Sequence, residues 1–595
     1  MKTNIKNCGI IITAVFALTS CSSSFLDRPP QDSIAAQDAY ESDDQVMATT
    51  ALLYSKAWFD YNDVASFELG NFRGGDAMSR WSSQDDVWFS TTPTTGANQA
   101  AWEAFFNVIG QANTALNNIN KYAGPAVTPA IKQNAIGEAR FMRALAYRYL
   151  VMNWGPVPII TDNESLLGDP TSVQPNTVQS VWKFVTSEML QAVEELPETP
   201  YGTNSTSGQA AGATSGRVTK WSAEAMLARF YLSRSGVESS NGQRNQQFLD
   251  SAKYYAQRVI TMSGKSLLPS YRNLFLFPYN NNNESLFELQ WMYKATGSYY
   301  YANSTISQIG PDNSIMNNDG WGGDKGATFW MISQYDGFTL STIPSTTVGG
   351  EDTLVLKGAT LDQRLKETFM MPGFVYPEIT RTLSGVDQKP FIYPNNTFGS
   401  TFDGSVDNGH STANIKKYIT GQSKDVGGSA QQDYPNDTYM MRLAEVYLIY
   451  AEAELGNQTS TSDPTAIEYF NAVHTRAGLP AVAGPLTFDQ IFKEKVCEFG
   501  MESMMWYLLI DLHYWNPLEA YKIIGQQYRG FYHITPNVFP NPTSWTFTTD
   551  PNSSEYHGQS DYATASDGNF LLPLPASEVT SAPNLLNTPV DYYAQ

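Results

Sequence analysis

The sequence is poor in cysteine and histidine, the side chains on which many metal and nucleophilic sites depend. Only 3 of its 595 residues are cysteine and 5 are histidine. One cysteine falls in an N-terminal leader, and the remaining two, Cys21 and Cys497, are too few for a disulfide framework or a cysteine-rich zinc site. The histidines, at positions 410, 474, 513, 533 and 557, are never four residues apart. This spacing excludes the helical motif of zinc hydrolases.

Positive charge is also scarce. Lysine and arginine number 37 against 58 acidic residues, which gives a formal charge of −21. Nucleic acid is therefore not expected as a partner, because binding to phosphate needs a basic surface. Charged residues make up only 16% of the chain, whereas aromatic residues reach 13%, with 34 Tyr and 13 Trp. This composition suits uncharged or weakly charged polar ligands such as sugars.

The N-terminal apolar run, residues 9–18, is too short to span a bilayer, which needs about 20 residues. Two lysines precede it, and Leu-Thr-Ser then leads into Cys21, in the order of a bacterial lipobox. We expect residues 1–20 to be a lipoprotein signal peptide and Cys21 to carry the lipid after cleavage. Residues 21–36 are polar and contain proline, and they are predicted to be a lipidated tether.

The rest of the chain, 37–595, is predicted to be one domain of the all-α class. Helical periodicity dominates about 37–265 and 436–515, whereas about 266–435 is rich in Gly, Asn, Ser and Thr and is predicted to be a loop-rich, ligand-binding part. Sequential helix pairs suggest helix-turn-helix repeats of the tetratricopeptide kind. Within the loop-rich part, Glu284–Trp291 alternates as a strand does. The predicted helices are Asp43–Phe59, Trp102–Ile119, Ile131–Met152, Thr177–Leu196, Lys220–Ser235, Gln246–Met262, Asp437–Leu455, Pro464–Thr475 and Phe488–Asp511.

Four segments closely resemble the signature segments of the SusD/RagB family, in the family's order. They are "GEARFMRALAYRYLVMNWGPVPII" (137–160), "MRLAEVYLIYAEA" (441–453), "FNAVHTRAGLP" (470–480) and "FLLPLPASEVTSAPNL" (570–585). One segment, Lys493–Trp515, departs from the pattern because the arginines usual in relatives are missing. That difference puts local ion pairing in doubt more than it does the fold.

The resemblance implies an all-α core of tetratricopeptide-like helix pairs with a loop-rich, irregular half packed against it. It also implies a lipoprotein on the outer face of a Gram-negative outer membrane that is not an enzyme. Members of the family bind glycans, and some bind peptides, as a lid on a SusC-like TonB-dependent transporter that imports the ligand. We therefore expect capture of oligosaccharide or polysaccharide, with peptide capture as the alternative. The resemblance does not name the glycan.

A secreted glycoside hydrolase is the rival from another class. Such enzymes need two carboxylates across the scissile bond, and no segment of this sequence singles out a pair. The nearest approach to a serine-hydrolase elbow, Asn408–Ala413, has Ala where the last Gly should stand. Gly320–Gly326 lacks both nucleotide-binding patterns. No cofactor is expected besides the lipid on Cys21, although the oxygen-rich loop Pro311–Asp319 could hold a structural calcium.

Sugar binding needs flat aromatic faces for the C–H surface of the ring and polar groups for the hydroxyls. Two predicted loops have this composition, Phe72–Trp88 and Gly297–Trp330, and the family resemblance points to the same two regions. Within them, Trp88 and Trp330 are interpreted as structural. The candidate ligand residues are the platforms Trp81 and Trp321, the side walls Tyr299, Tyr300 and Tyr301, and the hydrogen-bonding groups Arg80, Asp76, Asn303 and Asp324.

Overall fold

Helices dominate the part of the chain that the structure describes. The computed structural model describes residues 39–79, 82–164, 166, 169–200, 216–293, 299–340, 351–356, 361–393, 413–549, 553 and 560–593. The predicted signal peptide and tether, with Cys21, lie outside these residues, as do Arg80 and Trp81. The longer helices are Asp43–Ala51, Gly96–Tyr122, Pro129–Trp154, Val178–Glu195, Lys220–Val237, Gln246–Met262, Leu443–Leu455, Pro464–Arg476, Phe488–Phe499, Met505–His513 and Pro517–Gly525. Shorter ones are Gln84–Val87, Thr305–Ile309, Phe329–Gln334, Gln363–Thr368, Ser423–Val426 and Ala576–Ser581.

Local signals fix where several of these helices begin. The hydroxyl of Thr177 accepts a hydrogen bond from the amide of Ser180, and Thr219 forms a reciprocal capping box with Ser222. Successive helices then pack against one another from Gly96–Tyr122 through to Gln246–Met262, which in turn packs against Leu443–Leu455. The large apolar core lies between them.

The segment predicted as a helix over Asp437–Leu455 begins differently in the structure. Residues Thr438–Arg442 form a strand, and the helix starts only at Leu443. The strand pairs antiparallel with Ser285–Leu289, which lies inside the segment that the sequence predicts to be a strand. Backbone pairing with this partner, distant in sequence, outweighs the local helical spacing of apolar side chains.

The predicted helix over Phe488–Asp511 is interrupted at Gly500–Met504. Met501 and Ser503 have positive φ angles of 67° and 58°. The amide of Met501 donates to Oδ2 of Asp76 at 3.0 Å, and the amide of Ser503 donates to Oδ1 of Asn71 at 3.1 Å, so side chains distant in sequence hold this turn. The single predicted helix is therefore two helices joined by a tight turn.

The predicted loop-rich part contains short antiparallel strands and small sheets. One four-stranded sheet has the order Ala77–Ser79, Lys325–Ala327, Asn414–Ile415 and Phe369–Met370, and another has the order Tyr532–Pro536, Ser544–Thr549, Glu351–Leu356 and Phe338–Leu340. The first of these joins the two predicted ligand loops. The remaining strands are Ser285–Leu289 with Thr438–Arg442, Val375–Tyr376 with Phe391–Ile392, Arg381–Leu383 with Val386–Gln388, and Ser460–Thr461 with Leu486–Thr487.

Arginines from other elements supply the ion pairing that the sequence left in doubt around Lys493–Trp515. The carboxylate of Glu498 accepts hydrogen bonds from Arg364 at 3.0 Å, from Arg442 at 2.5 Å and from Arg476. Burial opposes its ionisation, but these guanidinium groups outweigh that effect and hold the pKa of Glu498 well below its usual range. The network joins the helix Phe488–Phe499 to the strand Thr438–Arg442 and to the helix Pro464–Arg476.

Candidate functional site

The two loops predicted to bind ligand leave the same end of a short antiparallel ladder. Strand Ala77–Ser79 pairs with strand Lys325–Ala327, and Ser79 lies opposite Lys325. The chain leaves the first strand after Ser79 and enters the second one from Asp324. Because the strands run antiparallel, the first loop starts where the second loop ends.

Asp324 fastens the two loops together. Its Oδ2 accepts hydrogen bonds from the hydroxyls of Ser79 at 2.6 Å and Ser82 at 2.9 Å, and its Oδ1 accepts one from the ammonium of Lys325 at 3.2 Å. Burial opposes the charge of Asp324, but Lys325 and the two hydroxyls outweigh burial and lower its pKa. We call Asp324, Ser79 and Ser82 the serine clamp. It fixes the chain on both sides of positions 80 and 81.

Trp321 presents its indole ring from a closely packed loop. Its side chain is 44% exposed, while its backbone N–H donates to the carbonyl of Ser307 at 3.2 Å. The glycines on either side allow this approach, since a Cβ at Gly320 would lie 2.3 Å from the carbonyl carbon of Asp312 and one at Gly322 would lie 2.5 Å from that of Ile309. An exposed aromatic ring on a fixed backbone is a suitable platform for a sugar ring.

A second exposed ring comes from the 3-10 turn Tyr299–Tyr301. Tyr300 is 49% exposed, and its ring stands edge-on to that of buried Phe59, with 4.8 Å between ring centroids. The ammonium of Lys56 lies 5.8 Å from the ring centroid of Tyr301. The side chain of Tyr299 lies outside the described part of the structure.

Two of the predicted hydrogen-bonding residues are buried, and the structure corrects their role. Asp76 has no exposed surface, and its Oδ2 accepts from the amide of Met501 at 3.0 Å, while burial raises its pKa to about 7. Asn303 is also buried and donates to the carbonyl of Asn436 at 2.7 Å and to the hydroxyl of Thr438 at 3.2 Å. Through these hydrogen bonds both side chains fasten loops to the core. Because both are buried, neither has surface for a ligand to touch.

A polar cavity of about 900 Å³ opens beside the serine clamp, and no prediction from the sequence included it. Ser83 and Gln84 line it directly after Ser82, and the side chain of Gln84 donates to the carbonyl of Ser79 at 2.6 Å. Its lining residues, all within the described ranges, include no lysine, arginine or histidine. They include the carboxylates Asp60, Asp63, Glu68, Asp85 and Glu103.

The carboxylates of this cavity create a negative field. Burial raises the pKa of Glu68 to about 7, and burial, Glu103 and Asp63 together raise that of Asp60. Asp63 and Glu68 sit on π-helical turns, Tyr61–Ala65 and Glu68–Phe72, which widen the helix at this point. Such oxygens accept hydrogen bonds from sugar hydroxyls and repel anions. Acidic residues on π-helical turns do not recur at a regular period in the sequence, so hydrophobic and charge patterns do not predict this cavity.

The oxygen-rich loop Pro311–Asp319 uses its carboxylates internally. Asp312 accepts from the amide of Ser314 at 2.7 Å, and Asp319 accepts from the hydroxyl of Ser307 and from the amide of Gln432 at 2.7 Å. Across the described residues, no group of three or more Asp, Glu, His or Cys side chains is arranged to hold a metal ion. Within the same residues, no helix combines the length and the apolar character needed to cross a membrane.

Comparison with known protein families agrees with the motifs in the sequence. A family model described as the SusD family matches residues 283–592, and a second one, described as starch-binding and associating with the outer membrane, matches residues 24–232. The chain belongs to the SusD/RagB family. The resemblance noted in the sequence is thus confirmed, and the second description indicates association with the outer membrane.

Individual SusD-like relatives match almost the full chain. A SusD-like protein of Bacteroides ovatus is 31% identical over 594 residues, which cover 98% of this chain and 97% of that protein. A solved structure described as being with xylogluco-oligosaccharide is 29% identical, has a TM-score of 0.74 and covers 92% of this chain and 99% of its own. A laminarin-binding SusD-like protein, 19% identical with a TM-score of 0.61 and covering 91% of this chain and 98% of its own, shares the fold.

Proposed function

We propose that this protein captures an uncharged oligosaccharide or polysaccharide at the cell surface and delivers it to a SusC-like TonB-dependent transporter. The observation that carries the proposal is the pair of exposed rings, Trp321 and Tyr300, in the second of the two loops that the serine clamp joins. The xylogluco-oligosaccharide of the related structure supports a glycan as the ligand class. In this role the protein binds its ligand without cutting it.

The electrostatics of the site favour a neutral glycan over an anionic one. The cavity beside the serine clamp brings together five carboxylates, and the whole chain carries a formal charge of −21. A sulfated or uronate-rich polymer would meet repulsion at the cavity, whereas hydroxyl groups can donate hydrogen bonds to the same oxygens. The lipid on Cys21 would anchor the protein to the outer membrane and leave the binding face toward the medium.

The test is a binding screen of the chain from residue 22 onward against neutral polysaccharides, anionic polysaccharides and mixed peptides. We expect retention of a neutral glycan, loss of that retention in Trp321→Ala, and no loss in Tyr254→Ala. Tyr254 is a matched control because its side chain is 56% exposed, on the helix Gln246–Met262. Retention of peptides alone, or release of reducing ends from a glycan, would contradict the proposal.

A further inference from the structure

Two carboxyl groups lie next to each other in the interior behind the exposed tyrosine. Glu288 belongs to the strand Ser285–Leu289, and Asp437 immediately precedes the strand Thr438–Arg442 that pairs with it. Their side chains are 1% and 6% exposed. The two side chains lie on the same face of the strand pair, because Glu288 is paired with Tyr439 and Asp437 lies two residues before Tyr439.

Two neighbouring carboxyl groups can form a hydrogen bond with each other only if one of them keeps a proton, because a carboxylate has no donor. The amide of Asn281 donates to Oε2 of Glu288 at 2.9 Å, and its side chain donates to Oδ2 of Asp437 at 3.1 Å. The amide of Trp291 donates to Oδ1 of Asp437 at 2.8 Å. The hydroxyl of Ser285 also faces Glu288, but among the described residues no donor reaches Oε1 of Glu288 with hydrogen-bond geometry. A proton held between the two carboxyl groups would satisfy this oxygen.

The charged and titratable groups around the pair do not neutralise it. Neither carboxyl forms an ion pair with a lysine, arginine or histidine of the described residues. Lys265 acts on Glu288 through its field alone, and Arg442 is bound by Glu284, Glu498 and Glu502. The remaining groups that face the pair are the phenols Tyr418 and Tyr439. Two negative charges at this depth would therefore repel each other without a counter-ion.

The pair supports the segment that presents Tyr300. Asp437 holds the amide of Trp291, whose indole N–H donates to the hydroxyl of Thr438 at 3.0 Å. The next amide, that of Met292, donates to the carbonyl of Tyr301 at 2.8 Å. The indole of Trp291 also stands edge-on to Phe59, against which the ring of Tyr300 packs.

We propose that the proton shared by Glu288 and Asp437 positions the Tyr299–Tyr301 turn for ligand, so that its loss at alkaline pH loosens the turn and weakens capture of the glycan. The two carboxyl groups are positioning residues that do not touch the ligand. The part of the inference that concerns capture rests on the proposed function, whereas the part that concerns the turn does not.

The direction of the pH dependence follows from burial. Burial raises the pKa of Glu288, and burial together with Glu288 raises the pKa of Asp437 well above its usual range. While the turn is packed in place, the buried pair of Glu288 and Asp437 keeps a proton, and the pair releases this proton when the turn opens and water reaches the carboxyl groups. The equilibrium for opening therefore rises with pH, by up to about tenfold per pH unit, from the ordinary carboxyl range up to the pKa of the closed pair.

Glu288→Gln tests the inference, because the glutamine amide supplies the missing hydrogen at every pH while its oxygen can still accept from the amide of Asn281. The ligand-free readout is hydrogen exchange at the amides of Trp291 and Met292, corrected for the intrinsic pH dependence of exchange, from about pH 5 to pH 9. Glu194→Gln, an exposed carboxylate on the helix Val178–Glu195, is the matched control. Asp437→Asn supplies the hydrogen from the other partner and serves if Glu288→Gln does not fold.

We expect protection of these amides to fall with rising pH in the unmodified protein and in Glu194→Gln, and to stay flat in Glu288→Gln. Glycan affinity should then decline at the alkaline end of the range in the first two proteins only. Parallel exchange profiles in all three proteins would overturn the shared proton, as would protection that depends on added Ca²⁺ and not on pH. Divergent exchange with identical affinity profiles would overturn the link to capture, whereas absence of glycan binding at every pH would refute the proposed function instead.

Discussion

Removal of the Asp324 carboxylate should weaken ligand binding because the two loops become less ordered, and not because a contact with the ligand is lost. Its Oδ2 holds Ser79 at 2.6 Å and Ser82 at 2.9 Å, and the side chain is largely buried. A hydrogen bond to a charged group contributes about 1.5–3 kcal/mol, so Asp324→Ala removes about 3 kcal/mol or more of local stabilisation. We expect glycan affinity to fall by about 10–100-fold, because the ordered loop becomes a smaller fraction of the population.

A double-mutant cycle measures this role directly. Ser79→Ala combined with Ser82→Ala removes the same two hydrogen bonds from the other side. If the serine clamp acts as a unit, Asp324→Ala should cost little more affinity in that background, and the interaction energy should be about 2 kcal/mol or more. Isothermal titration with the glycan supplies the affinities, and urea unfolding supplies the stabilities.

The opposite pattern would refute the reasoning. If Asp324→Ala lowers affinity equally in both backgrounds, and the double serine variant binds normally, the carboxylate contacts the ligand itself, as the sequence predicts. Glu194→Ala is the control, since Glu194 is exposed on the helix Val178–Glu195 and belongs neither to the serine clamp nor to the cavity.

Three further predictions concern the anchor, the buried ion pairs and the pH dependence of stability. Cys21→Ala should leave the protein outside the outer-membrane fraction in a cell fractionation assay, because the lipid is lost. Glu498→Gln should lower the free energy of unfolding in urea by about 3–5 kcal/mol, because three buried arginines lose a shared carboxylate. The pKa of Asp76 is raised to about 7, so between about pH 4 and pH 7 the folded state keeps a proton that the unfolded state releases. The free energy of unfolding should therefore fall as the pH rises through this range. Asp76→Asn should remove up to about 4 kcal/mol of that decline, measured by urea unfolding at each pH, and an unchanged profile would contradict it.

Sequence patterns predicted most of the long helices, because their apolar spacing and their caps are local. The helix Gln246–Met262 begins and ends at the predicted residues. Local spacing failed where a distant partner decides the structure. Residues Thr438–Arg442 have helical spacing but pair with the strand Ser285–Leu289, and the turn at Gly500–Met504 is held by the distant side chains of Asp76 and Asn71.

The candidate site was predicted by composition in part only. An excess of aromatic residues in a loop indicates where a ring can be exposed, and Trp321 and Tyr300 are exposed. Composition does not show which polar side chains face inward, so it assigns Asp76 and Asn303 to the ligand although both are buried. The carboxylates of the cavity come from three separate stretches of chain, and only the fold brings them together.

The most direct test of the account is the footprint of a bound neutral glycan in hydrogen exchange. The ligand should protect two separate segments together, residues 82–85, which begin at Ser82 of the serine clamp, and residues 305–324 around Trp321. Trp321→Ala should abolish both effects. Protection confined to one segment, or found only on the helices Gln246–Met262 and Leu443–Leu455, would contradict a single glycan site built from the two loops.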